Sequence, residues 1–380
     1  MPGEWKRGIL RLSIYLRDGF RRYVAWIGPY LRYLARRVGV ASDRRLVVIS
    51  SYQHPYVRNL RQSVGGRVLF MPRRQPGMYT PSVPMEQADI FHLHFINELG
   101  LGLDETTELI AQLRTTGTRI VWTGHDLISH DKDYERFEPL FASWAKAADG
   151  VVHHTHYGEQ LMRGRYSFRD DCEHTVINHA YRREHSNLRL REMRAEIEHS
   201  YGIQPAPIRI GLMGMPRVER DVLGFLEGVA ASTNRDVQVV CWSLRPGDIV
   251  PDDERLAIAE PWRYVDDGEV ERRLAICDLI AIPIVPDGEM LTSGVVSDAL
   301  AMGLGMLISS WEYLRESAGD AGIVCGDSVA DVAGALNRLS VDDVERVKRA
   351  SLTLRRRRHW DSVTGPLTNF YEKVSSDSTR

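Results

Sequence analysis

The stretch Ile208-Arg209-Ile210-Gly211-Leu212-Met213-Gly214-Met215-Pro216-Arg217-Val218-Glu219-Arg220 decides how the chain is read. A mainly apolar run, long enough for one strand, ends at Met213. A Gly/Pro turn follows, and two arginines stand three residues apart before a helix-compatible stretch begins. Short continuous apolar runs suit strands buried on both faces. A strand that passes through a glycine turn into a helix is a unit of a doubly wound sheet, whose ligands sit at the carboxyl ends of the strands. Arg217 and Arg220 therefore stand where an anion would be held, and a guanidinium can grip phosphate oxygens bidentately. Taken singly, either arginine is better suited to a solvated pair with Glu219 or Asp221.

Working outward, the same theme recurs. Toward the C-terminus come Val237–Cys241, Leu279–Pro283, Gly305–Ile308 and Gly322–Cys325, with helical stretches between most of them. Toward the N-terminus an earlier series reads Leu46–Ser51, Val68–Met71, Ile90–Phe95, Ile120–Thr123, Val151–His154 and Thr175–Ile177. The arginine-rich stretch Tyr181–Glu198 between them suits a linker or an exposed helix. Two βα series predict two doubly wound domains. Residues 45–190 form the first of these and residues 200–355 the second, with a terminal helix over 356–375.

The second domain carries a further phosphate signal in Leu291-Thr292-Ser293-Gly294-Val295-Val296-Ser297-Asp298-Ala299-Leu300-Ala301-Met302-Gly303. Small residues open a helix here. The N–H groups of a first turn, helped by the helix dipole, bind a diphosphate with little side-chain help. Gly294 allows close approach, and Asp298, one turn on, is within reach of a ribose hydroxyl. Thr-Ser-Gly before a helix also serves as an ordinary N-cap.

Composition sets the bounds. The 380 residues, 43% hydrophobic, 8% aromatic and 26% charged, exceed one ordinary domain and describe a globular chain. Cys172, Cys241, Cys277 and Cys325 are scattered, without C-x-x-C or zinc spacing, which suits reduced thiols and a cytoplasmic setting. Residues 1–40 hold nine Lys and Arg against Glu4 and Asp18, a balance of +7 that leaves −9 for the rest of the net −2. Leu12, Leu16, Phe20, Val24 and Ile27 recur there at helical spacing among arginines, so residues 1–44 are read as a basic amphipathic helical segment. No run approaches the roughly 20 apolar residues that span a bilayer. The segment suits an anionic membrane surface better than nucleic acid, and packing on the protein body remains open beside it.

With these parts in place the chain resembles the GT-B glycosyltransferases, especially the group of bacterial polysaccharide mannosyl- and glucosyltransferases. That group carries a glycine and two basic residues after the first strand of its C-terminal domain, matched by Gly214, Arg217 and Arg220. A carboxylate-Ala-x-Ala-x-Gly segment is matched by Asp298–Gly303. Common members also carry two glutamates separated by seven residues. Asp298 stands at the second, while Met290 stands at the first with Glu289 one place off. Leu291-Thr292-Ser293-Gly294 is similar to the branch of β-mannosyltransferases of xanthan-type assembly. So are His54-Pro55-Tyr56, Thr123-Gly124-His125-Asp126 with His130, and Ile177-Asn178-His179-Ala180-Tyr181. The resemblance implies metal-independent catalysis, no cofactor, a GDP- or UDP-linked sugar as co-substrate, and a terminal helix that crosses back to the first domain.

Histidines gather after the strands of the first domain, where an acceptor hydroxyl would meet the donor. Transfer needs a base for that hydroxyl and stabilisation of the leaving diphosphate. His125 is the expected base or acceptor-orienting residue, with Asp126 fixing its tautomer or serving as base itself. His54, Tyr56, His94, His130 and His179 line the acceptor side. A metal is a further reading of His92-x-His94, where no third ligand is implied, or of His153-His154-x-His156, and none is expected at the phosphates. The expected activity is hexosyl transfer to a lipid-linked or polysaccharide acceptor at the inner membrane face. A sugar-nucleotide epimerase or hydrolase of the same fold, or a non-catalytic sugar-nucleotide-binding subunit, stands as the alternative.

Overall fold

A computed structural model of the protein describes residues 46–50, 56, 57, 59, 60, 68–72, 88–128, 134–180, 194–217, 219–258, 261–285 and 291–376. The basic segment 1–44, His54, His130, Glu289 and Met290 lie outside the described residues. Every apolar run read from the sequence forms a strand. In the first series β1 (Leu46–Ser50), β2 (Val68–Pro72), β3 (Ile90–Leu93), β4 (Arg119–Thr123), β5 (Gly150–His153) and β6 (Glu173–Val176) make one sheet in the order β2-β1-β3-β4-β5-β6. The second sheet holds β7 (Ile208–Leu212), β8 (Val237–Cys241), β9 (Leu256–Ile258), β10 (Leu279–Ile282), β11 (Gly305–Ile308) and β12 (Gly322–Val324), ordered β12-β11-β10-β7-β8-β9. Strand β9 was not anticipated, because three residues at a sheet edge give too short a pattern to read.

All strand pairs in both sheets are parallel. That arrangement needs cover on both faces, which is why the runs are continuous rather than alternating. Helices α1 (Leu103–Thr115), α2 (Tyr134–Ala147) and α3 (His156–Arg165) pack Leu113, Trp144 and Met162 against Phe91, Trp122 and Val151 on one face of the first sheet.

The second domain is wound the same way by α4 (Arg194–Ser200), α5 (Val222–Ala231), α6 (Asp267–Ala275), α7 (Gly294–Met302), α8 (Glu312–Ala318), α9 (Val329–Arg338) and α10 (Val341–Arg357). Leu274 of α6 and Ala299 and Leu300 of α7 cover Ile280, Ile282 and Met306. Phe225 and Leu226 of α5 and Leu336 of α9 cover Ile210, Val239 and Leu307 on the other face. Helix α4 overlaps the end of the stretch read as a linker or an exposed helix, and it is docked rather than solvated: Arg194 donates to Asp278 at 2.9 Å and to Glu198 at 2.7 Å.

Helix α11 (Trp360–Ser376) lies on the first sheet. Val363, Leu367, Phe370 and Tyr371 cover Val48, Ile90, Val121 and Val152 there. Gly150 makes the close approach possible, since a Cβ on it would come within 2.8 Å of Phe370 and Val374. Lys373 pairs with Glu173 at 2.5 Å at the far end.

Strand order reverses direction beside β1 in the first sheet and between β7 and β10 in the second. Such switch points open a crevice at the carboxyl ends of the strands, where the adjoining loops diverge to opposite faces. Among the described residues no helix is long and apolar enough to cross a membrane.

Candidate active site

At the β7/β10 switch point the chain turns at Gly214 with φ +102°, a conformation that disfavours any residue with a Cβ. A Cβ here would also come 2.5 Å from Arg220 Nη1 and 3.0 Å from Val295 Cγ2. The glycine therefore touches both the arginine and the first turn of α7, so three features far apart in sequence meet at one point. The loop is pinned to the extension of β10. Asp221 N donates to Pro283 O at 2.9 Å, Val285 N to Glu219 O at 2.7 Å, and Arg220 N to Arg217 O at 3.1 Å.

Arg220 is half-buried and donates from Nη1 to the Met213 carbonyl at 2.5 Å. Its pKa is pushed down to about 10, first by burial and then by the neighbouring charge of Arg217, against a smaller opposing effect of Glu219. Two cations so placed repel one another and favour a bound anion. The Glu219 carboxylate stands 3.7 Å from Arg217, beyond hydrogen-bond distance.

Ser293 occupies the N-cap position of α7 without making a side-chain capping bond, and the Thr292 hydroxyl donates instead to the His125 carbonyl at 3.1 Å. The ordinary N-cap role of Thr-Ser-Gly is thus not used, and the first-turn N–H groups lack a side-chain cap among the described residues. Val295 of that turn and Arg220 meet at the same corner, on Gly214. Beside it opens a pocket of about 860 Å³, counting its mouth, lined by Met213, Gly214, Trp242, Trp262, Arg263, Tyr264, Val265, Val295 and Asp298. Asp298 is 5% exposed and lines that pocket, one helical turn from the anion corner.

The Trp262–Val265 wall was missed in the sequence, since it lies in a non-periodic loop. Its available signal is the run Trp-Arg-Tyr, three large π-bearing groups in an otherwise polar stretch. Tyr264 is 87% exposed at the pocket mouth.

Across the cleft, Tyr56 stands at the centre of a histidine wall. Its ring centroid lies 5.7 Å from His94, 5.1 Å from His125, 5.7 Å from His154 and 4.6 Å from His179. His94 Nδ1 and His125 Nε2 share a hydrogen bond at 3.2 Å. His179 Nδ1 lies 3.0 Å from the Ser297 hydroxyl of α7, and with the Thr292–His125 contact this sets the wall directly against the helix start. Asp126 is half-buried beside His125.

Other histidines separate by register. His92 is spent on structure, with Nδ1 2.6 Å from the Tyr371 hydroxyl and Nε2 2.7 Å from Thr123 Oγ1. His153 points away to His174, at 2.8 Å, while His156 is exposed. The consecutive group His153-His154-x-His156 is therefore not one cluster.

Buried histidines make the protein acid-sensitive. Burial, the main cause, pushes His92 from 6.5 to about 3, His153 to about 2 and His154 to about 4. The unfolded chain takes up these protons below about pH 6.5 while the folded chain does not. Their stabilising effect is complete above that pH and is lost as pH falls to about 4 for His154, 3 for His92 and 2 for His153, by up to about 1.4 kcal/mol per pH unit for each histidine. Urea midpoints are expected to fall steeply between pH 7 and pH 5. A flat profile would mean that the folded protein accepts these protons.

The two domains also meet through side chains. Leu291, 2% exposed, belongs to the core of the first domain although it precedes a helix of the second. Glu316 of α8 accepts from His156 N at 2.6 Å and Tyr157 N at 2.9 Å, capping α3 from the other domain. Leu291→Ala is expected to cost about 2–5 kcal/mol of packing at this contact. The domains should then open, with a larger radius of gyration by small-angle scattering and weaker nucleotide binding. Unchanged scattering would show that Leu291 does not hold the cleft.

Two doubly wound domains with a terminal helix returning to the first make up the GT-B fold, and comparison with solved structures shows the same architecture. A sucrose-phosphate synthase from Thermosynechococcus elongatus is similar over 88% of this chain and 100% of its own, with 14% identity and a TM-score of 0.61. HepE from Anabaena, solved with UDP and glucose, is similar over 86% of this chain and 99% of its own, at 10% identity and a TM-score of 0.61. A glycosyltransferase from Rickettsia africae covers 87% of this chain and 98% of its own, at 11% identity and the same TM-score of 0.61. No family model matches the chain, and no curated protein matches it.

Proposed function

We propose that the protein is a glycosyltransferase that moves a hexose of mannose or glucose type from a GDP- or UDP-linked donor to a hydroxyl of a lipid-linked or polysaccharide acceptor. The observation that carries this reading is the meeting of Gly214, Arg220 and the uncapped start of α7 beside a nucleoside-sized pocket, with His125 across the cleft. A diphosphate in that corner lies between guanidinium groups and a helix N-terminus. Its nucleoside extends along Trp262–Val265, and Asp298 takes a ribose hydroxyl.

In the transfer step the acceptor oxygen bonds to the anomeric carbon, its proton passes to His125 or Asp126, and the bond from that carbon to phosphate breaks. Negative charge then develops on the diphosphate. Arg217, Arg220 and the α7 dipole oppose that charge, a task for which no metal or cofactor is invoked. The fold shared with HepE, a protein solved with UDP and glucose, makes UDP-glucose the first donor to test. GDP-mannose follows from the β-mannosyltransferase-like motifs.

Screening nucleotide sugars for thermal stabilisation tests the donor, since a ligand that binds only the folded state raises its melting temperature. A labelled donor with lipid extracts then tests transfer. Stabilisation by a donor without transfer to any extract would favour a sugar-nucleotide-binding subunit. The acceptor reading also places residues 1–40 on an anionic membrane at the cytoplasmic face. Flotation with vesicles, with and without those residues, checks this; equal flotation would sink it.

A further inference from the structure

We propose that His125, His154 and His179 form a binding site for a divalent transition metal, of which zinc best suits the ligands. Each residue stands just beyond the carboxyl end of a different strand, β4, β5 or β6, so the scaffold that positions them is rigid. One ring nitrogen from each lies within 4.8 Å of the others. The ring centroids are 5.0 Å apart for His125 and His154, 4.8 Å for His154 and His179, and 5.9 Å for His125 and His179. Zinc–imidazole bonds of about 2.0–2.1 Å in tetrahedral array hold three rings about 5 Å apart. The three separations bracket that spacing, so small ring movements suffice to bring the nitrogens onto an ion.

The state of His154 identifies its ligand atom. Nδ1 lies 2.8 Å from the Ile177 carbonyl, which can only accept, so Nδ1 carries the proton and Nε2 carries the lone pair. That Nε2 is buried and has no hydrogen-bond partner among the described residues. A buried lone pair without a donor is costly, and a cation satisfies it. With the lone pair already on Nε2, metal binding displaces no proton from His154.

The outer contacts match those of metal-bound histidines, whose second nitrogen is held by a carbonyl or another polar group. His154 has the Ile177 carbonyl, His179 the Ser297 hydroxyl at 3.0 Å, and His125 the ring of His94 at 3.2 Å. The neighbouring group of His153, Glu159 and His174 is a weaker candidate. There two histidine nitrogens bond each other at 2.8 Å, and Glu159 is held by Arg163 at 2.9 Å. Occupation of the favoured site takes His125 out of proton transfer. That consequence rests on the transferase reading, whereas binding itself does not.

The test is titration of the full-length, chelator-stripped chain with Co2+, followed by displacement with Zn2+. One equivalent of Co2+ should give the intense visible absorption of four-coordinate cobalt, and Zn2+ should abolish it. His154→Gln and, separately, His179→Gln should weaken binding by at least ~100-fold, beyond the loss from an outer-contact change. His174→Gln should leave it intact, with circular dichroism confirming that each variant is folded. Absence of a saturable four-coordinate spectrum in the unaltered protein overturns the proposal, a result that needs no variant. A signal that survives both His154→Gln and His179→Gln but is lost in His174→Gln also overturns it, assigning the metal to the other group.

Discussion

Arg220→Ala is expected to weaken binding of a nucleoside diphosphate by roughly 10- to 10,000-fold. Hydrogen bonds to charged groups contribute about 1.5–3 kcal/mol each, and a fork that meets the phosphates through one or two of them converts to that range at about 1.4 kcal/mol per tenfold. The side chain is already oriented before any ligand arrives, because its Nη1 is tied to the Met213 carbonyl and its guanidinium packs on Gly214. Little ordering entropy is left to lose on binding. Arg220→Lys should recover part of the affinity through charge alone, without the planar fork. Calorimetry with UDP and GDP measures both variants. An affinity within about threefold of the unaltered protein would place the phosphates elsewhere, since that corresponds to less than one hydrogen bond.

His125→Ala is expected to lower sugar transfer by about 100- to 10,000-fold while leaving nucleotide affinity nearly unchanged. The imidazole belongs to the first domain and meets the donor domain mainly through its backbone, by the Thr292 hydroxyl on the His125 carbonyl. Alanine keeps that carbonyl, so the cleft should still assemble. Asp126→Asn divides the two assignments. If Asp126 only orients or stabilises the imidazole, the asparagine variant should retain more activity than His125→Ala. If Asp126 is the base, the order reverses. Full transfer by His125→Ala would remove this histidine from the chemistry.

The anion corner was legible because its parts obey local rules. Gly214 ends a strand, Arg217 and Arg220 follow within one short loop, and Thr292-Ser293-Gly294 precedes a helix, so each position is set by neighbours in sequence. Whether Thr-Ser-Gly acts as a cap was not legible. Its answer lies in His125, 167 residues away, which takes the Thr292 hydroxyl. The nucleoside wall at Trp262–Val265 escaped for a similar reason: a loop without periodicity has no local signature of the pocket it lines.

The histidines mark the boundary most sharply. Their concentration after strands is visible in the sequence, but their grouping is not. His153 ends β5 and His154 follows it, and adjacent residues of an extended chain point to opposite sides, so one joins His174 and the other joins His125 and His179. His92, two residues from His94, is consumed by Tyr371 of the terminal helix.

The sequence by itself determined the two parallel sheets, because strands buried on both faces must read as continuous apolar runs, and with them the edges at which loops can bind a ligand. Only the tertiary structure decided which side chains share a site. Partnership there depends on strand register, on the burial of Leu291 in the opposite domain and on the return of α11, and these are long-range contacts that no local pattern encodes.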